Sequence, residues 1–132
     1  MIFVDTSFFF AAVEPGDRSH QEAMDLSRKI SGERLITTNL VRGETWTLMR
    51  YRSGFQTAVR FLDSLEVSDS IAIEQVRTEL ETESLGWLRQ HDEREYSFVD
   101  ATSFAFMRKY RISEALAFDG DFTSAGFVEL RA

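Results

Sequence analysis

The order of apolar runs along this chain predicts an α/β fold: a central parallel sheet of about five strands, flanked by helices on both faces. Three observations carry that prediction. Ile2-Phe3-Val4 is an unbroken run of β-favouring residues, the pattern of a strand covered on both sides. Similar short runs recur down the chain, separated by segments whose apolar residues fall at helical spacing. Several of those segments open on a hydroxyl or amide side chain of the kind that caps a helix.

Taken in order, Ile2–Val4 is the first strand and Thr6 to Val13 a short helix, ended by Glu14-Pro15-Gly16. Ser19-His-Gln-Glu22 reads as a capping box, with Ala23, Met24, Leu26 and Ile30 as the apolar face of a helix ending near Gly32. Arg34 to Thr37 is a second strand. Thr38 or Asn39 caps the next helix, Leu40 to Tyr51, and Ser53-Gly-Phe-Gln56 opens another that runs to about Leu65. Leu65-Glu66-Val67 reads as a third strand. Ser68-Asp69-Ser70 is then a polar break ahead of a long helix through Trp87 and Leu88. Ser97 to Arg108 is an apolar helix, Ala115 to Phe118 a fourth strand ending in Asp119, and Phe127 to Leu130 a fifth.

The 132 residues are expected to form a single domain, and no internal repeat or linker interrupts them. No apolar run approaches the ~18 residues needed to span a bilayer, and no basic segment opens a signal peptide. The expectation is a cytoplasmic protein without membrane contact. With no cysteine, disulfides and thiolate metal sites are excluded. A formal charge of −7 argues against general affinity for phosphate backbones, although bound divalent cations would offset part of it locally. Only Lys29 and Lys109 are lysines, so the positive charge sits on arginine, the better residue for bidentate phosphate contacts.

Most acids read as solvated surface: Glu74, Glu79, Glu81 and Glu83 on the long helix, and Asp92-Glu-Arg-Glu95 as a charged turn. Four differ. Asp5 and Asp119 each end a strand, so in a parallel sheet both carboxylates reach the carboxyl edge where ligands bind. Glu44 lies three to four residues from Leu40, Val41 and Leu48, close to a buried stripe, and Asp100 shares a helical face with Phe104 and Met107. Unpaired buried carboxylates are costly, and a hard divalent cation would satisfy all four together. Carboxylate oxygens without His or Cys select Mg²⁺ or Mn²⁺. Blander roles exist for each. Asp5 and Asp119 can cap the following helices, Asp100 can be the acid of a box opened by Ser97, and Glu44 can pair with Arg42 or another arginine. Asp121, in Phe118-Asp-Gly-Asp-Phe122, competes with Asp119 for the fourth position.

The hydrophobic-Asp-Thr-Ser start, Thr37-Thr-Asn-Leu-Val-Arg-Gly-Glu44, Ser97-Phe-Val-Asp100 and Phe118-Asp-Gly-Asp-Phe-Thr-Ser-Ala-Gly-Phe127 together resemble a PIN-domain ribonuclease, and among these a VapC-type toxin of a toxin–antitoxin pair. The resemblance runs over nearly the whole chain. It implies a PIN-like fold and a Mg²⁺- or Mn²⁺-dependent endoribonuclease that cuts RNA by in-line attack of water. In it Asp5 and Asp100 would ligate metal directly, Glu44 and Asp119 would complete the cluster, and Thr6 and Asn39 would assist. The partners it implies are an RNA substrate and a cognate antitoxin.

Rival readings are an aspartate-nucleophile phosphatase, a receiver-like metal-binding module, and a non-catalytic PIN-like scaffold. The first wants an aspartate two residues after Asp5, where Ser7 stands; the second wants a lysine where Asp119 follows the fourth strand. The third keeps the acids and is separated by whether RNA is cut. Tyr51, Phe55 and Phe61 are candidates for a homodimer face, with core burial the alternative for Phe55 and Phe61. His20 and His91 lie in polar surroundings and are assigned no role.

Overall fold

A computed structural model describes all residues from Met1 to Ala132. Five parallel strands form one sheet in the order β3-β2-β1-β4-β5. They are β1 (Ile2–Val4), β2 (Leu35–Thr38), β3 (Ile71–Glu74), β4 (Glu114–Leu116) and β5 (Val128–Glu129). The helices are α1 (Thr6–Val13), α2 (His20–Lys29), α3 (Asn39–Arg52), α4 (Phe55–Val67), α5 (Thr78–Arg89), α6 (Phe98–Lys109) and α7 (Asp121–Ser124).

Topology follows from handedness. The crossovers β1 to β2 to β3 step one way across the sheet, and β3 to β4 steps back past β1. Right-handed crossovers therefore put α1–α4 on one face and α5–α7 on the other. The packing agrees: α1 lies against α2 and α3, α3 against α4, and α5 against α6. The direction reverses between β1 and β4, paired in register at Phe3 with Ala115 and Val4 with Leu116. At such a reversal the connections diverge and leave a crevice beyond the strand ends.

Central strands are covered on both faces, so Ile2, Phe3 and Val4 are all buried within a core of 25 residues. Phe104 of α6 is a hub of that core. Its ring meets Phe122 edge-on at 5.0 Å, Trp87 at 5.3 Å and Phe127 at 5.7 Å. Phe122 also approaches Phe3 at 6.0 Å, so the short helix α7 is anchored to both β1 and α6. No helix is long and apolar enough to cross a membrane.

Two elements differ from the sequence reading. Leu65–Val67 is the last turn of α4, not a strand, because Ala58, Phe61 and Leu65 form a continuous buried helical stripe. The third strand is Ile71–Glu74, and the following helix begins only at Thr78. Smaller corrections concern caps. Ser19 makes no side-chain cap bond, and α4 starts from Gly54 at φ 100° rather than from a box on Ser53. Thr38, not Asn39, caps α3 through its hydroxyl, which accepts from the Val41 N–H. Met24 is exposed rather than core.

Candidate active site at the sheet switch point

The chain leaves β1 at Asp5, whose N–H still donates to Leu116 O of β4. Its carboxylate then turns back to cap α1. Oδ2 accepts from the Ser7 N–H at 3.1 Å and from the Ser7 hydroxyl at 2.7 Å. Ser7 Oγ in turn accepts from the Phe118 N–H at 3.0 Å. One serine therefore ties the end of β1 to the end of β4 and fixes the Asp5 carboxylate between them. The capping bonds engage Oδ2 alone, so the cap does not exclude a second role for Oδ1.

Asp100 likewise does what the blander reading required. Ser97 Oγ accepts from the Asp100 N–H, and Asp100 Oδ2 accepts from the Ser97 N–H, a complete capping box at the start of α6. Its side chain is nevertheless buried at the sheet edge beside Asp119 and Asp121. One carboxylate oxygen from each of these three acids lies within 4.8 Å of the others. Asp119 and Asp121 thus both belong to the cluster.

The turn that presents them is built by Glu129, a buried acid of β5. Its oxygens accept from Gly120 N at 3.2 Å and Thr123 N at 3.0 Å, and Arg131 pairs with it at 3.2 Å. Asp119 Oδ1 accepts from the Asp121 N–H, and Gly120 takes the left-handed φ of 80° that this tight turn needs. Glu129→Gln would replace an acceptor with a donor facing the Thr123 N–H. We expect a loss of roughly 2 kcal/mol in thermal unfolding together with weaker Mn²⁺ binding by titration; unchanged values would remove Glu129 from the support of the turn.

Electrostatics set this group apart from surface acids. Burial pushes the Asp5 carboxyl, 2% exposed, up to about 8, with the Asp119 charge adding and the Ser7 hydrogen bonds opposing. Asp100 rises to about 7, again chiefly from desolvation, with the charges of Asp119 and Asp121 raising it further. Asp119 rises to about 6. Part of its surface meets solvent, yet the protein packed around its carboxyl still makes desolvation the leading cause. The one cation at the cluster is Arg94, whose Nε donates to Asp121 Oδ1 at 2.8 Å and whose Nη2 donates to Asp119 O at 3.0 Å. Clustered hard oxygen donors, three of them made costly to ionise by burial, fit an oxygen-loving divalent cation.

The other sequence candidates lie further out. Glu44 is half-buried on α3, joins no ion pair, and lines a 660 Å³ cavity with Asn39 and with Val99, the neighbour of Asp100. It is outside the set of oxygens within 4.8 Å of one another. Thr6 turns toward α3, where its hydroxyl accepts from Thr45 Oγ1 at 2.9 Å. Asn39 Oδ1 accepts from the Val76 N–H at 2.7 Å and so fastens the chain after β3. Of the residues the sequence reading passed over, Glu129 left a trace as an acid inside an apolar run. Ser7 was weighed only for what it was not, and Arg94, in a charged turn, left none.

A model of the PIN domain matches residues 2–128. The 23S rRNA-specific endonuclease VapC20 of Mycobacterium tuberculosis, from strains CDC 1551 and H37Rv, is 50% identical over 131 residues, covering 99% of this chain and 98% of the relative. The crystal structure of M. tuberculosis VapC20, described as a Sarcin-Ricin loop cleaving toxin, superposes with a TM-score of 0.94 at 48% identity over 100% of both chains. The acid-edged switch point, the five-stranded sheet and these likenesses agree, and the chain belongs to the PIN-domain family, as one of its VapC-type toxins.

Proposed function

We propose that this endoribonuclease toxin cuts 23S rRNA in the sarcin–ricin loop, with Mg²⁺ or Mn²⁺ held by Asp5, Asp100 and Asp119 and with Asp121 and Glu44 completing the acidic rim. The observation that carries the reading is that burial raises Asp5, Asp100 and Asp119 at the β1/β4 switch point, while Asp100 and Asp119, with Asp121 but without Asp5, bring carboxylate oxygens within 4.8 Å of one another. The target follows the relative, whose name and described substrate are that RNA.

The cation, when bound, supplies positive charge for the phosphoryl oxygens and acidifies attacking water. The protein's own part is positioning. Ser7 holds Asp5 against β4, the Ser97 box holds Asp100 on a buried helix start, and Glu129 holds the turn of Asp119 and Asp121. Asp5, Asp100 and Asp119 each accept from a backbone N–H and Asp121 from the Arg94 Nε, so little reorganisation is needed when substrate arrives.

Residues 1–132 act as one domain in this reading, since one core draws on both ends of the chain, from Ile2 to Phe122. A cognate antitoxin restrains the enzyme in the cytoplasm. A homodimer uses the exposed aromatics Tyr51 and Phe55, which are 89% and 54% exposed, whereas Phe61 is core. Light scattering on the purified protein tests the dimer, and a strict monomer would remove it.

Cleavage is tested with purified 23S rRNA and mapped by primer extension. We expect one dominant cut in the sarcin–ricin loop with Mn²⁺ or Mg²⁺ and none with EDTA. Cuts scattered elsewhere would overturn the target, and cutting in EDTA would overturn the metal.

A further inference from the structure

We propose that Arg18 and Arg52 form a phosphate subsite that seats the RNA strand beside the scissile bond; the proposal rests on the nuclease reading above. A 210 Å³ cavity is lined at once by Ser7 and Asp119 of the acidic site and by Arg18 and Arg52. A second cavity of 480 Å³ shares Phe10, Asp17, Arg18 and Arg52 with the first and lies beyond the acids. The two make a continuous groove leading away from the cluster, with both arginines along it.

Neither guanidinium joins an ion pair, although hydrogen bonds from Ser53 and Gly16, and then the charge of Arg52, hold the nearby Glu14 carboxyl below its usual range. The chain's ion pairs engage Arg28, Arg94, Arg108 and Arg131 only. The acids lining these cavities are aimed by hydrogen bonds of their own: Asp17 Oδ2 accepts from the Ser19 N–H at 2.9 Å, and Glu14 accepts from Ser53 Oγ at 2.8 Å and the Gly16 N–H at 3.2 Å. Arg52 is held in place from below, its guanidinium carbon 5.0 Å from the centre of the Phe10 ring. Arg18 sits exposed in the loop between α1 and α2 and joins none of these ion pairs.

The physical need is plain. With a net charge of −7 and an acidic cluster at its centre, the enzyme has no general attraction for a phosphate backbone. Binding a phosphodiester strand requires local positive potential within reach of the acids. Two planar donors outside any ion pair, Arg18 and Arg52, line the cavity that contains Asp119 and bring positive charge there, and guanidinium geometry matches a phosphate's oxygens. The anion recognised is a backbone phosphate, which carries no base information, so this subsite sets grip and register rather than sequence.

The test reads binding and turnover separately in Arg18→Gln, Arg52→Gln and Arg52→Lys, using purified 23S rRNA. Each glutamine variant is expected to raise KM roughly tenfold while changing kcat far less. The slope of log affinity against log salt should become shallower by about 0.7, as for one single-strand phosphate released. Arg52→Lys should recover the salt slope and only part of the KM, because charge returns without the planar fork. Arg18 makes no contact the fold depends on, so Arg18→Gln keeps the test sound even if Arg52 variants unfold. Unchanged KM and unchanged slope in the Arg18 variant overturn the proposal, as does a loss confined to kcat. The slope is measured without cleavage: a wild type that bound RNA and never cut it would refute the nuclease reading, and equal slopes would refute this one.

Discussion

Asp100→Asn is expected to slow RNA cleavage by roughly a thousandfold or more, about 4 kcal/mol of transition-state stabilisation, while the protein remains folded. The substitution separates two roles that one side chain carries. An asparagine Oδ1 can still accept from the Ser97 N–H, so the capping box that starts α6 survives. The ionisable oxygen shared with Asp119 and Asp121 does not survive. Loss of activity with a retained melting temperature therefore assigns Asp100 to metal holding. If Asp100→Asn cut 23S rRNA at the wild-type rate in saturating Mn²⁺, the cluster would be a capping arrangement without catalytic meaning. Collapse of the fold would make the box its principal role.

That a single aspartate caps a helix and serves the site bears on what the sequence could tell. For Asp5 and Asp100 the structure shows the cap, and the cap leaves room for a ligand role, because the bonds engage only Oδ2 of each carboxyl. A carboxylate has two oxygens. Donors from Ser7 or Ser97 take one side and aim the other. The capping signal in the sequence was real and also located the site, since the helices that follow β1 and precede β4 begin at the switch point.

The fold was legible where burial is one-sided in an obvious way. Strands β1 and β2 are legible as short β-favouring runs, α3 as helical spacing after a capping residue, and α1 and α6 as apolar stretches bounded by polar breaks. The failure was at the sheet edge. Strand β3 alternates half-buried Ile71 and Ile73 with exposed Ala72 and Glu74. Four alternating residues beside Ser68-Asp69-Ser70 look like the entry to a helix. Meanwhile Leu65-Glu66-Val67, which ends an amphipathic helix, looks like a short strand because two apolar residues flank one acid. Only pairing with β2, Leu35 to Ile71 through Thr38 to Glu74, decides between them, and that pairing is a long-range fact. The same limit hid Arg94 and Glu129, since their partners lie 27 residues away in the first case and across a turn in the second. Glu44, placed beside the site by helical spacing, reached its neighbourhood but not the tight set of oxygens.

The second large effect is on stability, and its sign is opposite to that of most core substitutions. Without metal, Asp5→Asn should melt higher than the wild type at pH 8, by roughly 5–10 °C. The Asp5 carboxyl titrates near 3.8 when the chain is unfolded and at about 8 when folded. Between those values the native state holds a proton that the unfolded state has lost, so unfolding releases it and rising pH favours unfolding. The contribution is fully present below about pH 4 and is lost progressively as pH climbs to about 8. Asp100, raised to about 7, and Asp119, raised to about 6, act with the same sign over narrower windows. An asparagine keeps its acceptor toward the Ser7 N–H and hydroxyl but never ionises, so it escapes that loss. Saturating Mn²⁺ should reverse the order. A cation at 100 times its Kd stabilises the wild type by about 2.7 kcal/mol, whereas the variant, lacking one ligand, gains much less. At pH 5 the metal-free difference should shrink, because only a small part of the interval between the unfolded value of 3.8 and the folded value of about 8 has then been crossed. Scanning calorimetry at pH 5 and pH 8, each with EDTA and with Mn²⁺, gives the whole pattern. An Asp5→Asn variant that melts below the wild type in EDTA at pH 8 would mean that the Asp5 carboxylate is a net stabilising cap, and the cluster would then need no cation to explain it.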